Sequence, residues 1–238
     1  MNIYTDSRML AAGLIGGTLS RQTGDLKDPA AQETVYQQLE IPAKQILHLH
    51  QTHSDTLLPI TTPSRAAAQQ CAPLPDADGW LFTTDGWGGA ILTADCVPLF
   101  LWDEKAEVFA LAHCGWRGVV QQLPLKTARA LYQAGARGQV QGWLGPHIQD
   151  CCFEVQEDVA KQFLPQSVRE KNGKLLVNLN IEILHQLQQA GVDPLQVKTP
   201  YYCTCCDKEH FFSWRRDHVR AHLLSFIYKP PRLHKNLN

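Results

Sequence analysis

The sequence predicts an α+β fold: a single domain over residues 1–238 in which two packed, mixed β layers are flanked by helices. Three observations carry this reading. The middle of the chain, from Gly88 to Trp102 and from Val108 to Cys114, is rich in β-forming and small residues, as strands buried on both faces are. Helical patterns are few and irregularly placed, unlike the regular strand–helix alternation of a doubly wound sheet. No linker, repeat, low-complexity tract or run of like charge interrupts the 238 residues, and 44% hydrophobic content is enough for a sizeable core.

The elements follow in order. Asp28-Pro29 is a helix start, a capping side chain followed by proline in the first turn, and Pro29 to Leu39 continues it with suitable apolar spacing. Ile46 to Thr52 alternates like a strand, with His48, His50 and Thr52 on one face, Leu47, Leu49 and Gln51 on the other, and His53 at its end. Leu125 to Ala134, closed by Gly135, reads as a helix with a glycine C-cap. Val140 to Leu144 reads as a strand ending at Gly145-Pro146. Further helices are expected at Val155 to Phe163 and at Ile181 to Ala190, the second capped by Asn180 and ended by Gly191, and Leu223 to Tyr228 is expected as an edge strand.

Twenty-two basic against 23 acidic side chains leave a net charge of −1, without the cationic excess that phosphate neutralisation demands, so nucleic acid is not an expected partner. No apolar run approaches the ~20 residues of a membrane span. Met9 to Leu19 is small and apolar behind Arg8, but its glycines, Thr18 and the following Ser20-Arg21-Gln22 do not suit a signal peptide. A chain of this size folds without disulfide staples, and the adjacent pairs Cys151–Cys152 and Cys205–Cys206 rarely suit bridging geometry. The eight cysteines are therefore expected as reduced thiols in a cytoplasmic protein.

Three segments place a candidate metal ligand where a strand stops and glycine or proline begins: His50-Gln51-Thr52-His53-Ser54-Asp55, Thr93-Ala94-Asp95-Cys96-Val97-Pro98 and Ala112-His113-Cys114-Gly115-Trp116-Arg117-Gly118. A thiolate with two imidazoles forms a tridentate zinc site whose fourth position stays open, the mark of a catalytic metal. A second grouping, Cys203-x-Cys205-Cys206-x-x-x-His210, has crowded spacing for a structural zinc.

The three segments, in this order, resemble the signature of the multicopper polyphenol oxidase, or laccase-domain, family, whose bacterial members are also called purine nucleoside phosphorylases and peptidoglycan editing factors. Asp76-Ala77-Asp78-Gly79, the stretch Gly145-Pro146-His147-Ile148-Gln149-Asp150-Cys151-Cys152-Phe153-Glu154-Val155, and Phe211-Phe212-Ser213-Trp214-Arg215-Arg216-Asp217 extend the resemblance over Leu49 to Asp217. It implies that His53, Cys96 and His113 hold the metal. Thr52 and Ser54 stand where the family usually has valine and glycine, and Cys114 stands for an alanine. The N-terminal Gly17-Thr18-Leu19-Ser20-Arg21-Gln22-Thr23-Gly24 is a looser match, and His218 to Ala221 lacks the family's Thr-Gly-Arg.

The resemblance implies a zinc-dependent purine nucleoside phosphorylase acting on adenosine, inosine, guanosine or methylthioadenosine, with adenosine deaminase activity. Its partners would be a small nucleoside and phosphate. The catalytic set would be Cys96, His113 and Arg117, the last as phosphate ligand because a guanidinium makes paired bonds to phosphate oxygens. Arg215, Arg216 and Arg21 are weaker candidates. Asp95 or Asp78 would orient an imidazole or move a proton, with Asp78 reading first as a turn residue before Gly79, and Trp116 would stack on a base or pack. Laccase chemistry needs several coppers held largely by His-x-His pairs, and the only such pair among ten histidines is His48-Leu49-His50. Copper polyphenol oxidation is therefore disfavoured, although a His2Cys set can take up copper in vitro. The main alternative is a Cys96–His113 amidohydrolase editing a peptidoglycan precursor.

Overall fold

Two large β-sheets lie face to face, each with its outer face covered by helices, in the computed structural model, which describes residues 1–69, 73–103, 107–218 and 220–231. In chain order the strands are β1 (Ile3–Tyr4), β2 (Ile15–Leu19), β3 (Ile46–Leu47), β4 (Leu57–Ile60), β5 (Gly79–Phe82), β6 (Gly88–Thr93), β7 (Val97–Asp103), β8 (Val108–Cys114), β9 (Val140–Leu144), β10 (Glu154–Val155), β11 (Val168–Lys171), β12 (Lys174–Val177), β13 (Val197–Lys198) and β14 (Leu223–Tyr228). The helices are α1 (Ser7–Ala11), α2 (Pro29–Gln38), α3 (Pro63–Gln69), α4 (Trp116–Val120), α5 (Leu123–Gln133), α6 (Glu157–Ala160), α7 (Leu179–Gln189) and α8 (Trp214–Asp217). One sheet runs β1-β2-β14-β6-β3 and the other β13-β9-β7-β8-β5-β4, with a small β10-β12-β11 sheet beside them. Both large sheets are mixed, because β3–β6, β4–β5 and β13–β9 are parallel pairs among otherwise antiparallel neighbours. The α+β architecture is thus the expected one.

Strand alternation explains the layers. In β7, Phe100 and Trp102 face the other sheet and meet Trp80, Phe109 and Trp143, while Leu99 and Leu101 point the opposite way, into a core shared with α5 and α7. Both faces are apolar, so the strand reads as a continuous hydrophobic run. The outer face of the other sheet, with Ala90, Leu224 and Phe226, is covered by Val35 and Tyr36 of α2. That helix begins as expected: the Asp28 carboxylate caps Ala30 N–H and Pro29 occupies the first turn.

Four expectations need correction. The strand expected over Ile46 to Thr52 stops at Leu47. The carboxamide of Gln51 then takes the place of a ladder residue, accepting from Leu92 N–H at 2.7 Å and donating to Leu92 C=O at 2.8 Å, so the backbone is released to turn toward His53. Val155 to Phe163 is not one helix: Val155 is drawn into β10 by pairing with Leu175, and only Glu157–Ala160 is helical. The helix expected from Ile181 begins at Leu179 because Asn178, not Asn180, caps it, and the Asn180 amide instead donates to Gln149. Leu223 to Tyr228 is a central strand, paired with both β2 and β6. Met9 to Leu19 is divided between α1 and β2, and no helix among the described residues is long and apolar enough to cross a membrane.

His147 lies wholly buried in the loop after β9, its Nδ1–H donating to Gly145 C=O at 2.7 Å and its Nε2 accepting from the Gln149 amide at 2.9 Å. Burial pushes this imidazole down to about 4. Between that value and about 6.5 the unfolded chain binds the proton and the folded chain does not, so stability declines as pH falls through this window, by about 3 kcal/mol in all. Denaturation midpoints measured between pH 4 and 7 are expected to slope less steeply in His147→Gln than in the wild type; equal slopes would show that His147 is not the group responsible.

Candidate metal centre and active site

The site forms where the chain crosses between the two sheets. Residues 94–96 link β6, in one sheet, to β7, in the other, and Cys96 sits at the end of this crossing. Asp95 adopts a positive φ of 94°, a strained conformation for a residue with a side chain. Its carboxylate offsets that strain by accepting from Thr204 Oγ1 at 2.6 Å, Ser213 Oγ at 3.0 Å and Arg215 N–H at 2.7 Å. Asp95 therefore anchors the C-terminal segment and aims Cys96, rather than orienting an imidazole.

That task falls to Asp78. Fully buried at the start of β5, it accepts from His113 Nδ1 at 2.8 Å, from the backbone N–H groups of Thr52, His53 and Ser54 at 3.2, 3.1 and 2.6 Å, and from Ser54 Oγ at 2.8 Å. One carboxylate thus fixes both histidine-bearing segments. Because Asp78 only accepts, His113 carries its proton on Nδ1 and presents Nε2 to the cluster. Of the two readings of Asp78, the imidazole-orienting carboxylate is the one found and the simple turn residue is not.

His53, Cys96 and His113 come together, with their donor atoms all within 4.8 Å of one another. Cys96 Sγ lies 4.0 Å from His53 Nε2, and the two imidazoles meet edge to face with centroids 4.9 Å apart. Gly115 is required beside them: a Cβ there would stand 2.9 Å from His53 Cδ2 and 3.2 Å from Cys96 Sγ. Burial pushes the Cys96 thiol up, but the flanking His113 and His53 imidazoles outweigh it and bring it down to about 6. Burial likewise opposes the charged form of His113, and the Cys96 thiolate with Asp78 raises it to about 9. Asp78 is held well below the ordinary carboxylate range by His113 and Ser54 despite its burial. The two imidazoles thus favour the thiolate form of Cys96, the form that binds a metal or attacks an electrophile. Its neighbour Cys114 points into the helix-facing core, where burial pushes its thiol up.

The donor set fits zinc. Tetrahedral zinc with one sulfur and two nitrogens places S and N about 3.5 Å apart, within half an ångström of the spacing between Cys96 and His53. Two imidazoles and one thiolate leave a fourth position for water or substrate.

Arg117 is exposed on α4, with its guanidinium 4.4 Å from the centroid of the half-buried Trp116 ring. Arg215 and Arg216 are not brought to the site as ligands. Arg215 donates to the carbonyls of Cys152 and Glu154, and Arg216 to those of Thr204, Cys205 and Phe211. Arg21 donates to Lys208 C=O. The grouping of Cys203, Cys205, Cys206 and His210 is not formed. His210 Nδ1 is held by Asp207 at 2.9 Å, and the sulfurs that assemble are those of Cys151, Cys152, Cys203 and Cys206. Cys71 lies outside the described residues.

Residues 18–229 match the family model described as multi-copper polyphenol oxidoreductase laccase. A protein of Clostridium acetobutylicum named purine nucleoside phosphorylase is 31% identical over 195 residues, covering 78% of this chain and 78% of its own. A protein from an unknown prokaryotic organism named adenosine deaminase RL5 is 30% identical, covering 78% of this chain and 75% of its own. Among solved structures, YlmD from Geobacillus stearothermophilus has the same fold, with a TM-score of 0.81 over 92% of this chain and 93% of that one at 24% identity.

Proposed function

The chain belongs to the multi-copper polyphenol oxidoreductase laccase family, and from that premise we propose that it is a zinc-dependent purine nucleoside phosphorylase with adenosine deaminase activity. The observation that carries the reading is the convergence of His53, Cys96 and His113 on one point, with Asp78 orienting His113 from behind. The names carried by relatives at about 30% identity agree with it. His53, Cys96 and His113 would hold the metal. A zinc ion held by these residues would supply Lewis acidity. The donor atoms also accept copper, but beyond this set the remaining metal-ligating group among the described residues consists of cysteines alone, so no histidine cluster for three coppers accompanies it.

The chain's own residues supply position and charge. In phosphorolysis an oxygen of hydrogen phosphate bonds to the anomeric carbon as the bond to the purine nitrogen breaks, and the purine leaves carrying the proton that the phosphate gives up. Arg117 is the cation proposed for the phosphate. Asp78 retains the His113 Nδ1 proton throughout, so the imidazole keeps one orientation. Deamination needs no phosphate: water adds at C6 and ammonia leaves.

Purified protein incubated with adenosine is expected to yield inosine without phosphate and adenine only with it. Absence of adenine, hypoxanthine and inosine at stoichiometric zinc would overturn the proposal. Arg117→Ala is expected to raise KM for phosphate about tenfold, the loss of roughly one charge-assisted contact, and to change deamination less.

One observation favours a second reading. A carboxylate, an imidazole and a low-pKa thiolate in sequence, Asp78–His113–Cys96, is also the arrangement of a cysteine amidohydrolase, here acting on a peptidoglycan precursor. Activity that survives chelation but is lost on thiol alkylation would select it.

A further inference from the structure

A second cluster of metal-ligating side chains stands apart from the first. Cys151 and Cys152 lie in the loop after β9, and Cys203 and Cys206 in the loop after β13, the parallel neighbour of β9. The two loops are joined by a bridge between His147 and Cys203 and by the hydrogen bond from Thr204 N–H to His147 C=O. Their sulfurs are separated by 3.7 Å (Cys151–Cys152), 3.5 Å (Cys151–Cys203), 3.5 Å (Cys151–Cys206) and 3.3 Å (Cys152–Cys206), and all four lie within 4.8 Å of one another. None is bonded to another: all four are thiols.

Four thiols have little reason to gather by themselves. Cys151 and Cys206 are exposed, so burial does not drive them together, and pairing into bridges would have closed two of the contacts to bonding distance. Zinc bound by four thiolates accounts for the spacing: zinc–sulfur bonds of about 2.3 Å at tetrahedral angles place sulfurs about 3.8 Å apart. A polynuclear iron–sulfur cluster would distribute the cysteines over different irons and hold them farther apart than the observed packing. The surroundings suit the net negative charge of such a site. Gln149 N–H donates to Cys203 Sγ at 3.5 Å, and Arg215 and Arg216 place guanidinium groups against the carbonyls of Cys152 and Cys205.

We propose that Cys151, Cys152, Cys203 and Cys206 form a second, structural zinc site of the four-cysteine type. With no open position it has no part in the reaction. Its consequence is mechanical. Thr204, between two of the ligands, donates to the Asp95 carboxylate, and Ile148 N–H, in the other loop, donates to Asp95 C=O at 3.0 Å. The four-cysteine site thus clamps both loops that hold the strained residue immediately before Cys96.

Metal analysis of the full chain isolated under reducing conditions in zinc-containing buffer tests this. Two zinc ions per chain are expected in the wild type, and one in Cys96→Ala. Cobalt exchanged into Cys96→Ala is expected to give the intense visible and thiolate-to-cobalt bands of a tetrahedral four-sulfur site. The double variant Cys151→Ser/Cys206→Ser, altered only at exposed positions, is expected to lose one equivalent and to melt at a lower temperature. If that variant fails to fold, the Cys96→Ala measurements still decide. A wild type with at most one zinc that Cys96→Ala lacks, a cobalt spectrum without four-sulfur character, or recovery of the four cysteines as disulfides from reduced, zinc-loaded protein would overturn the proposal. Each outcome is independent of whether the protein cleaves nucleosides.

Discussion

Cys96→Ala is expected to lower kcat/KM for phosphorolysis and for deamination by about 10³-fold or more, equivalent to about 4 kcal/mol of lost transition-state stabilisation. The size follows from geometry. Cys96 supplies the single sulfur of a three-donor cluster, and its thiolate raises His113 together with Asp78, so its removal takes away a proposed ligand and one of the two negative charges beside that imidazole. Alanine fits the turn without strain beyond that already present at Asp95, so the fold is expected to survive. Cys96→Asp separates the two chemical readings. A carboxylate is an acceptable zinc ligand, so a metal-dependent enzyme is expected to retain its metal with weaker affinity and some activity. A carboxylate cannot replace a thiolate nucleophile attacking an amide, so the amidohydrolase reading predicts none. Steady-state kinetics with paired metal analysis makes the comparison. Wild-type turnover in Cys96→Ala would remove Cys96 from the site altogether.

What the amino-acid sequence discloses here depends on whether the determining interactions are local. Asp28-Pro29 and the α5 helix ending before Gly135 are decided within a few residues, and both are found as expected. Leu223 to Tyr228 was visible as a strand but not as a central one, because its neighbours β2 and β6 lie far away in the chain. The stretch from Gly88 to Trp102 is rich in β-forming and small residues on both sides of Asp95, yet the chain leaves one sheet and enters the other at residues 94–96. Periodicity cannot mark such a crossing when both strands are buried on both faces. His53, Cys96 and His113 were legible because each closes a segment with a family resemblance. For Asp78 the sequence offers both a turn residue and an imidazole-orienting carboxylate, and only the fold decides, since it accepts from three consecutive backbone N–H groups some 25 residues upstream, a relation without a sequence pattern. The candidate grouping of Cys203, Cys205, Cys206 and His210 differs from the cluster in the fold for the same reason. Proximity in sequence favoured Cys205 and His210, whereas the parallel pairing of β9 with β13 brings Cys151 and Cys152 to the place.

Asp78→Asn is expected to weaken zinc binding by 10- to 100-fold and to destabilise the fold by about 2 kcal/mol, although it changes one atom. Both carboxylate oxygens are engaged: Oδ1 accepts from His53 N–H and His113 Nδ1, and Oδ2 from Thr52 N–H, Ser54 N–H and Ser54 Oγ. An amide can present oxygen to only one of these sets. Its NH2 group must face the other, and a backbone N–H cannot reverse its role as donor. If the NH2 replaces Oδ2, the turn carrying His53 is pushed away; if it replaces Oδ1, His113 loses the acceptor that fixes its tautomer and Nε2 no longer faces the cluster. Either way one imidazole is misplaced, and the negative charge that makes His113 a stronger donor is gone. Asp78→Ala is expected to cost more stability, because it leaves every one of these buried donors without its partner. Competition with a chromophoric chelator measures the affinity, and chemical denaturation measures the stability. Wild-type zinc affinity in Asp78→Asn would show that the carboxylate braces the fold but does not prepare the metal site.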